Sequence, residues 1–230
     1  DRYASRGLGD VYKRQAELYV KSVDLVAVEV SSHALSQHRA DAVAFNVAVL
    51  TNLSRDHLDF HQDMLSYSKA KRKLFSFPSL NATIINIDDE FGLSLHKELS
   101  SRLTCVTYSI QKKEADIYAY DTTYKSDSIE TRIKTPNGNG SLHLPFVGQF
   151  NLSNALAALG ALLESGYELA DLLKAFSTLP KIPGRMEVVA NPMPNLDSQQ
   201  PLVVVDYAHT PEALELALTT LRNHTAGSVW

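Results

Sequence analysis

The sequence predicts an α/β fold with a mostly parallel central sheet, helices on both of its faces and a small antiparallel meander. The truncated start of a Rossmann-like C-terminal domain is expected to follow. Three observations predict this class. Continuous apolar runs of strand length alternate with amphipathic helical patterns in the first half of the chain. Alternating apolar and polar residues come next, and a separate strand–helix pair comes last.

Four continuous apolar runs are the predicted strands of the parallel part, because such runs are typical of strands covered on both faces. They are residues 24–30, 46–51, 82–87 and 103–108. Helices are predicted between them, and the β–α alternation requires right-handed crossovers. The helical patterns cover residues 63–75, with Tyr67, Ala70 and Leu74 inward, and 90–100, with Phe91, Leu95 and Leu99 inward.

The pattern changes after residue 112. Residues 116–124 and 128–134 alternate apolar and polar side chains. A turn signal at 136–140 precedes a third short segment at 141–144. Alternation of this kind predicts an antiparallel meander with one solvated face.

A helix is predicted after the meander, with Asn151 as its N-cap. Its expected core stripe consists of Leu152, Leu156, Leu159 and Leu163. A second helix covers residues 169–179, and the two prolines and the glycine of 179–184 indicate a domain boundary. We therefore assign residues 16–183 to a central domain and 184–230 to a second domain.

The two ends of the chain are interpreted differently. Residues 1–15 show no periodicity, and we treat them as a flexible or non-native leader. The second domain contains a predicted strand at 202–206 and a helix capped by Thr210, with Pro211 in its first position. The aligned apolar residues of this helix are Leu214, Ala217, Leu218 and Leu221. A lone strand–helix unit cannot bury both of its faces, so we expect the second domain to be truncated.

Composition excludes several classes of protein. The chain has 230 residues and a formal net charge of −4, which argues against nucleic-acid binding by bulk electrostatics. The single cysteine, Cys105, excludes an intrachain disulfide and fits a reducing compartment. No apolar run reaches the roughly 18 residues needed to span a bilayer. We expect a cytoplasmic monomer that binds neither nucleic acid nor membrane.

Polar residues follow the predicted strands at the edge where open parallel sheets bind ligands. Glu29 ends the first strand, where a carboxylate suits Mg²⁺, although a solvated Glu beside helix-capping serines explains it as well. The segment 55–61 concentrates two carboxylates with His57 and His61. Their spacing resembles a helical zinc site but lacks the HExxH glutamate, and a polar capping loop is the alternative.

Three further features leave functional and structural alternatives open. The lysine run at 69–73 is, taken alone, a solvated helix face. Asn151 and Asn154 lie one turn apart and can both read a base edge, although capping also explains Asn151. Asp206 precedes a helix start, where an acid can bind a ribose diol and the helix favours anions. These residues predict a nucleotide- or metal-using enzyme with two lobes.

Four strings together resemble the Mur ligases. They are EVSSHAL from residue 29, TNLSRDHLDFH from 51, GRME from 184 and DYAHTPE from 206. The likeness covers residues 16–230 and is greatest to the members that add the third residue to UDP-N-acetylmuramoyl-L-alanyl-D-glutamate. It implies ATP-dependent amide formation through an acyl phosphate. The implied partners are the UDP-muramoyl dipeptide, ATP, Mg²⁺ and an amino acid, either diaminopimelate or lysine.

The resemblance also implies roles for single residues. Glu29, His57 and Lys71 would hold Mg²⁺ and serve catalysis. Lys71 matches a lysine that the family carbamylates, which requires the amine to lose its proton. The dipeptide substrate would be held by Ser31, Gln37 and Arg39. The ATP-binding set would be Asn151, Asn154, Arg185, Asp206 and His209.

The sequence also departs from the family pattern. It lacks the glycine-rich GKT or GKS phosphate loop, the UDP-binding domain and most of the C-terminal domain, so we interpret it as a fragment. Other members of the superfamily remain alternatives, such as the D-alanyl-D-alanine-adding ligase or folylpolyglutamate synthase. A non-catalytic binding remnant is the alternative outside catalysis.

We predict that the 230-residue chain by itself does not hydrolyse ATP, because it lacks the backbone cradle that holds the β- and γ-phosphates. Phosphate release from Mg²⁺–ATP measures this directly. Turnover above the rate of the buffer alone would contradict the prediction.

Overall fold

The computed structural model describes residues 17–55, 57–189, 203–209, 211–225 and 227–229. They form a six-stranded sheet of order β1-β2-β3-β4-β5-β6 and a two-stranded sheet β7-β8. The strands are β1 (Val47–Leu50), β2 (Ala82–Asn86), β3 (Thr104–Ser109), β4 (Ile117–Tyr124), β5 (Ile129–Thr135), β6 (Gly138–Leu144), β7 (Glu187–Val188) and β8 (Val204–Val205). The predicted leader at 1–15 and the predicted cap Thr210 lie outside the described residues.

The helices are α1 (Ser32–Ser36), α2 (Leu58–His61), α3 (Met64–Arg72), α4 (Glu90–Leu99), α5 (Gln149–Glu164), α6 (Leu169–Ser177) and α7 (Pro211–His224). A 3₁₀ turn over Lys73–Ser76 continues α3, and residues 17–20 are also helical. Strands β1 and β2 are parallel, as are β3 and β4, whereas β4, β5 and β6 pair antiparallel. The predicted α/β class is confirmed. No helix in the described ranges is long and apolar enough to cross a membrane.

The chain divides into two compact units. The first contains the described residues up to Ile85 together with Asp89–Cys105, and the second contains Asn86–Asp88 and the described residues from Val106 onward. The predicted boundary between residues 183 and 184 remains a prediction.

The core of the first unit joins β1 and β2 to α4 and to the 3₁₀ turn. Strand β2 is buried at every position, as its continuous apolar run predicts, whereas β1 buries every second residue. The core residues are Ala48, Leu50, Phe75, Leu80, Ile85, Leu95 and Leu99. Tyr67 and Ala70 of α3 are buried as predicted.

The predicted strand at residues 24–30 is wrong. This segment has no regular secondary structure, and Leu25, Val26 and Val28 are 44%, 53% and 61% exposed. A strand needs the backbone donors and acceptors of a neighbouring strand. Among the described residues β1 ends the strand order of the sheet, so the segment has the composition of a strand without its pairing.

The meander in the second unit follows its predicted pattern closely. Strand β5 alternates buried and exposed residues along its whole length, which leaves one face solvated. The turn is shorter than predicted, because β6 already begins at Gly138 and pairs with Thr135. Gly138 has a φ of 122°, a conformation that glycine adopts at little cost.

Helix α5 begins earlier than predicted, so the assignment of Asn151 as N-cap is wrong. Gly148, with a φ of 105°, is the capping residue. Asn151 lies in the first turn, where it is buried and its Nδ2 donates to the carbonyl of Val147 at 2.7 Å. The predicted stripe from Leu152 to Leu163 is buried.

Only some of the apolar residues in the last elements, β7, β8 and α7, are buried. Val147, Met186 and Ala217 form a small core to which Leu221 adds. Leu214 and Leu218, which were predicted to align with Ala217, are 52% and 39% exposed. Strand β8 is limited to Val204–Val205 within the described residues.

A side chain at the start of α4 fixes the loop that follows β1. The Asp89 carboxylate accepts from Gly92 N at 2.9 Å, which caps α4, and from Leu53 N at 3.0 Å. Leu53 lies in the loop that carries Asn52 and His57. The bond from Leu53 to Asp89 therefore fixes this loop to the start of α4.

We predict that Asp89→Ala lowers the free energy of unfolding by about 1–2 kcal/mol, because it removes a helix cap and leaves Leu53 N without its acceptor. Denaturant unfolding measures the change. The neighbouring exposed substitution Glu90→Ala is the control, and equal effects of the two would contradict the capping role.

Candidate functional site

Two serines stand at the start of α1, and they form hydrogen bonds with different partners. Ser31 caps α1, since its Oγ accepts from Ala34 N at 3.2 Å. Ser32 is buried and bonds to Nε2 of His61 at 2.8 Å. The capping alternative for Ser31 is therefore correct, and binding of a substrate by this residue has to use the hydroxyl hydrogen or the remaining lone pair.

His57 stands at the end of the loop after β1. It precedes α2 and has a φ of 55° and a ψ of 26°, the left-handed conformation. This conformation costs a non-glycine residue about 1–2 kcal/mol. Such residues concentrate at functional sites, where the surrounding structure holds them in place.

The buried ring of Tyr67 is shared by residues from three elements. The His57 ring lies edge-on to it at 6.0 Å, and the His61 ring stacks on it at 5.0 Å with an interplanar angle of 20°. Nζ of Lys71 lies 5.3 Å from its centroid. Two of the three predicted metal ligands, His57 and Lys71, therefore contact the same side chain.

His33 of α1 completes this group. Its ring lies 5.0 Å from His57, 4.2 Å from Phe60 and 5.4 Å from His61. We call His33, His57, Phe60, His61 and Tyr67 the aromatic cluster. It brings α1, α2 and α3 together within the first unit.

Lys71 differs from the other lysines of its helix. Its Nζ donates to the carbonyl of Asn52 at 3.1 Å in addition to its contact with Tyr67. Lys69 is exposed, and Nζ of Lys73 lies 3.5 Å from the carbonyl of Leu35. Lys71 is thus the lysine of the run whose Nζ contacts the aromatic cluster, and its predicted role as a metal ligand stays a prediction.

Glu29 lies in the exposed segment without strand structure. The described residues contain no group of three or more His, Cys, Asp or Glu side chains arranged to hold a metal ion. An unmodified Lys71 does not fit a cation, because its ammonium repels one. A carbamate on Lys71 would instead supply oxygen atoms, the kind of ligand that Mg²⁺ prefers, so Lys71 fits the metal only in that form.

The pKa of the buried His61 is lowered from its ordinary value. Burial of the ring is the main cause, and the nearby His33 and His57 add to it, whereas Asp59 acts in the opposite direction. The neutral imidazole is therefore favoured in the folded protein, and it can exchange a hydrogen bond with the Ser32 hydroxyl.

The two remaining candidates of this unit follow α1. Gln37 is exposed and ends the helix, its N–H donating to the carbonyl of His33. Arg39 is partly buried, and its Nε is a buried atom without a hydrogen-bond partner among the described residues. A buried donor of this kind favours an incoming carboxylate or phosphate oxygen.

The candidates of the second unit occupy two places. Asn151 is buried at the start of α5, and Asn154 is exposed one turn later. The Asp206 carboxylate accepts from Met186 N and from Ala208 N, both at 2.9 Å. Both oxygens of this predicted ATP-binding residue are thus engaged by backbone amides.

Tyr207 connects the other two candidates near Asp206. The Arg185 guanidinium lies 5.0 Å from the centre of the Tyr207 ring. The His209 ring lies 4.9 Å from that ring, and its Nδ1 bonds to the carbonyl of Tyr207 at 2.8 Å. Arg185 and His209 are exposed and accessible to an anionic ligand.

From the sequence, Tyr67 was assigned only to the core, and the contacts of its ring with His57, His61 and Lys71 were not predicted. The hydrogen bond between Ser32 and His61 was not predicted either. The spacing of Tyr67 and Lys71, four residues apart on one helix, is a signal that predicts their contact. The pairing of Ser32 with His61 spans 29 residues and has no comparable local signal.

A family model described as the Mur ligase middle domain matches residues 9–162. The match begins at residue 9, within the segment 1–15 that was predicted to be a leader. The assignment of that segment stays a prediction.

Several curated relatives are similar over most of this chain. The UDP-N-acetylmuramoyl-L-alanyl-D-glutamate--2,6-diaminopimelate ligase of Pseudomonas aeruginosa is 48% identical over 202 residues, which cover 87% of this chain and 40% of that protein. The ligase of the same name from Coxiella burnetii is 42% identical over 217 residues, covering 92% and 43%. The chain thus spans about two fifths of the length of these relatives.

Solved structures agree with this result. A structure of a UDP-N-acetylmuramoyl-L-alanyl-D-glutamate--2,6-diaminopimelate ligase matches with a TM-score of 0.74 at 36% identity, covering 86% of this chain and 40% of that one. MurF from Acinetobacter baumannii matches with a TM-score of 0.66 at 22% identity, covering 78% and 38%. The second likeness shows the shared fold alone.

We predict that His61 makes the stability of the first unit depend on pH. Its pKa is lower in the folded state than in the unfolded state, where it is about 6.5, so the unfolded chain binds the proton more readily. The stabilisation is complete above pH 6.5 and is lost as the pH falls toward the folded-state pKa.

The substitution His61→Gln tests this dependence. The difference in unfolding free energy between the parent protein and the variant should shrink as the pH is lowered from 7.5 to 5.5, without added divalent metal. A difference that stays constant over this range would contradict the prediction.

Proposed function

Because the chain belongs to the Mur ligase family, we propose that it supplies the central part of an ATP-dependent ligase. The proposed reaction joins 2,6-diaminopimelate to the D-glutamyl residue of UDP-N-acetylmuramoyl-L-alanyl-D-glutamate, a step in peptidoglycan precursor synthesis. The observation that carries this proposal is the 48% identity, over 87% of this chain, to a ligase with that name. Two structural features support it, the aromatic cluster and Arg39, whose buried Nε has no hydrogen-bond partner in the described part of the chain.

The proposed chemistry proceeds in two steps. A carboxylate oxygen of the substrate attacks the γ-phosphorus of ATP, which forms an acyl phosphate and releases ADP. The amine of diaminopimelate then attacks the acyl carbon, the C–O bond to phosphate breaks, and inorganic phosphate leaves as the amide forms. The nitrogen loses a proton in this second step. The protein has to position the reactants and stabilise the charge that develops on the phosphoryl and acyl oxygens.

In this proposal Glu29, His57 and a carbamylated Lys71 hold Mg²⁺. A metal bound there would neutralise charge on the transferring phosphoryl group. Formation of the carbamate joins the neutral Lys71 amine to CO₂ with loss of a proton. Two contacts support this assignment: Nζ of Lys71 lies against the Tyr67 ring and donates to the carbonyl of Asn52, and the His57 ring also contacts Tyr67.

Ser31, Gln37 and Arg39 are proposed to bind the dipeptide part of the substrate. The buried Nε of Arg39 supports this role, because a guanidinium can hold a carboxylate through two parallel hydrogen bonds. The position of Gln37 at the exposed end of α1 leaves its amide accessible.

ATP is proposed to contact the second unit. Asn151 and Asn154 would read the adenine edge, and Arg185 and His209 would approach the phosphates. Asp206 would hold Met186 and Ala208 in place through its two backbone bonds and offer its remaining lone pairs to the nucleotide. We expect Mg²⁺ and ATP to be required together.

Product analysis with alternative substrates tests this proposal. The full-length protein should form the UDP-muramoyl tripeptide from the dipeptide, ATP and diaminopimelate, as seen by mass spectrometry. Lysine in place of diaminopimelate measures the amino-acid specificity. Ligation of D-alanyl-D-alanine to a UDP-muramoyl tripeptide, or of glutamate to folate, would instead favour another branch of the superfamily.

We predict that Lys71→Ala lowers kcat by about 10²–10³-fold, the usual loss when a group that stabilises charge in the transition state is removed. Lys69→Ala, on the exposed side of the same helix, is the matched control and should retain the parent activity. Depletion of CO₂ should lower the activity of the parent protein, and bicarbonate should restore it. Similar activities for both variants would contradict the role of Lys71.

A further inference from the structure

His224 links the end of α7 to two other segments of the second unit. It is 7% exposed, and its Nε2 accepts from Gly148 N at 2.9 Å. Its Nδ1 donates to the carbonyl of Lys125, and its ring lies 5.1 Å from that of Tyr124. One ring nitrogen accepts from an N–H while the other donates to a carbonyl, so the ring is the neutral tautomer with the hydrogen on Nδ1.

Gly148 caps the start of α5, and we call Val147 and Gly148 together the joint. Its carbonyl accepts from Asn151 N at 2.9 Å and from Leu152 N at 3.3 Å. Its N–H points to His224. The side chain of Asn151 also bonds to Val147, the residue before Gly148. The position of Asn151 is therefore set by a short segment that His224 holds from outside the helix.

Helix α7 packs closely on the same joint. Thr220 and His224 lie one turn apart and are both buried, and Ala217 packs against Val147. A Cβ added to Gly148 would lie 3.3 Å from Cγ2 of Thr220. Helix α7 therefore reaches the start of α5 through both packing and a hydrogen bond.

We infer that His224 is a positioning residue for the nucleotide, acting on Asn151 through the N–H of Gly148. This inference rests on the proposed function, in which Asn151 reads adenine. In this inference His224 acts through Gly148 and not by contact with the nucleotide. Loss of its acceptor leaves a buried N–H without a partner, which costs free energy unless the joint moves. Movement of the joint misplaces the Asn151 amide relative to the base edge, and small misplacements of binding groups have large effects.

Two substitutions separate the two hydrogen bonds of His224. Oε1 of a glutamine reaches the place of Nε2, so His224→Gln keeps the acceptor for Gly148 and loses the bond to Lys125. Nδ2 of an asparagine takes the place of Nδ1, so His224→Asn keeps the bond to Lys125 and loses the acceptor for Gly148. Asn223→Ala, at the exposed neighbouring position, is the control.

The experiment measures the Kd of a non-hydrolysable ATP analogue by calorimetry in the full-length protein, together with KM for ATP, kcat and the unfolding temperature. His224→Asn should raise the Kd and the KM for ATP about tenfold, with kcat at saturating ATP within twofold of the parent. His224→Gln and Asn223→Ala should stay within about twofold in Kd. The Gly148 amide should exchange with solvent faster in His224→Asn than in His224→Gln.

The inference is overturned if His224→Asn binds the analogue as tightly as the parent protein. It is also overturned if both His224 variants weaken binding equally, in line with their loss in unfolding temperature, because that marks a merely structural role. If the parent protein itself does not bind the analogue, the proposed function is contradicted as well. Failure of the proposed function is thereby distinguished from failure of the inference about His224, in which the parent protein still binds.

Discussion

The contact of three polar side chains with the ring of Tyr67 is the interaction on which the candidate site depends. Tyr67 and Lys71 lie four residues apart on α3, so the helix places both on one face. His57 and His61 come from the loop and short helix before it and meet the same ring. Through the aromatic cluster, one face of α3 contacts residues that come from other elements. The buried ring thus gives side chains from different elements a common surface to pack against.

The elements that the sequence predicts well are those whose signal is local. Strand β2 is a continuous apolar run that is buried throughout, and β5 alternates as its sequence does. The run at 24–30 is also continuous and apolar but forms no strand, because pairing depends on neighbours that composition does not specify. The cap of α5 falls on Gly148 instead of Asn151, since a φ of 105° there suits only glycine.

The candidate site also contains contacts that a local sequence signal predicts and contacts that no local signal predicts. The contact of Lys71 with Tyr67 follows from their spacing on one helix, whereas the bond between Ser32 and His61 joins residues 29 positions apart. Side chains that bond to distant backbone recur at the ends of elements: Asp89 holds Leu53, Asp206 holds Met186, and His224 holds Gly148. Each looks like an ordinary polar residue in sequence. Each determines where a segment bearing candidate ligands begins or ends.

A double-mutant cycle in the full-length protein tests the central claim most directly, that His57 and Lys71 act together at one place. It compares kcat/KM for ATP-dependent ligation in His57→Ala, Lys71→Ala and the double variant. Residues that act as a unit are strongly non-additive, so the double variant should be no slower than the slower single variant, within about threefold. A double variant whose loss equals the product of the two single losses would show independent action and contradict the account.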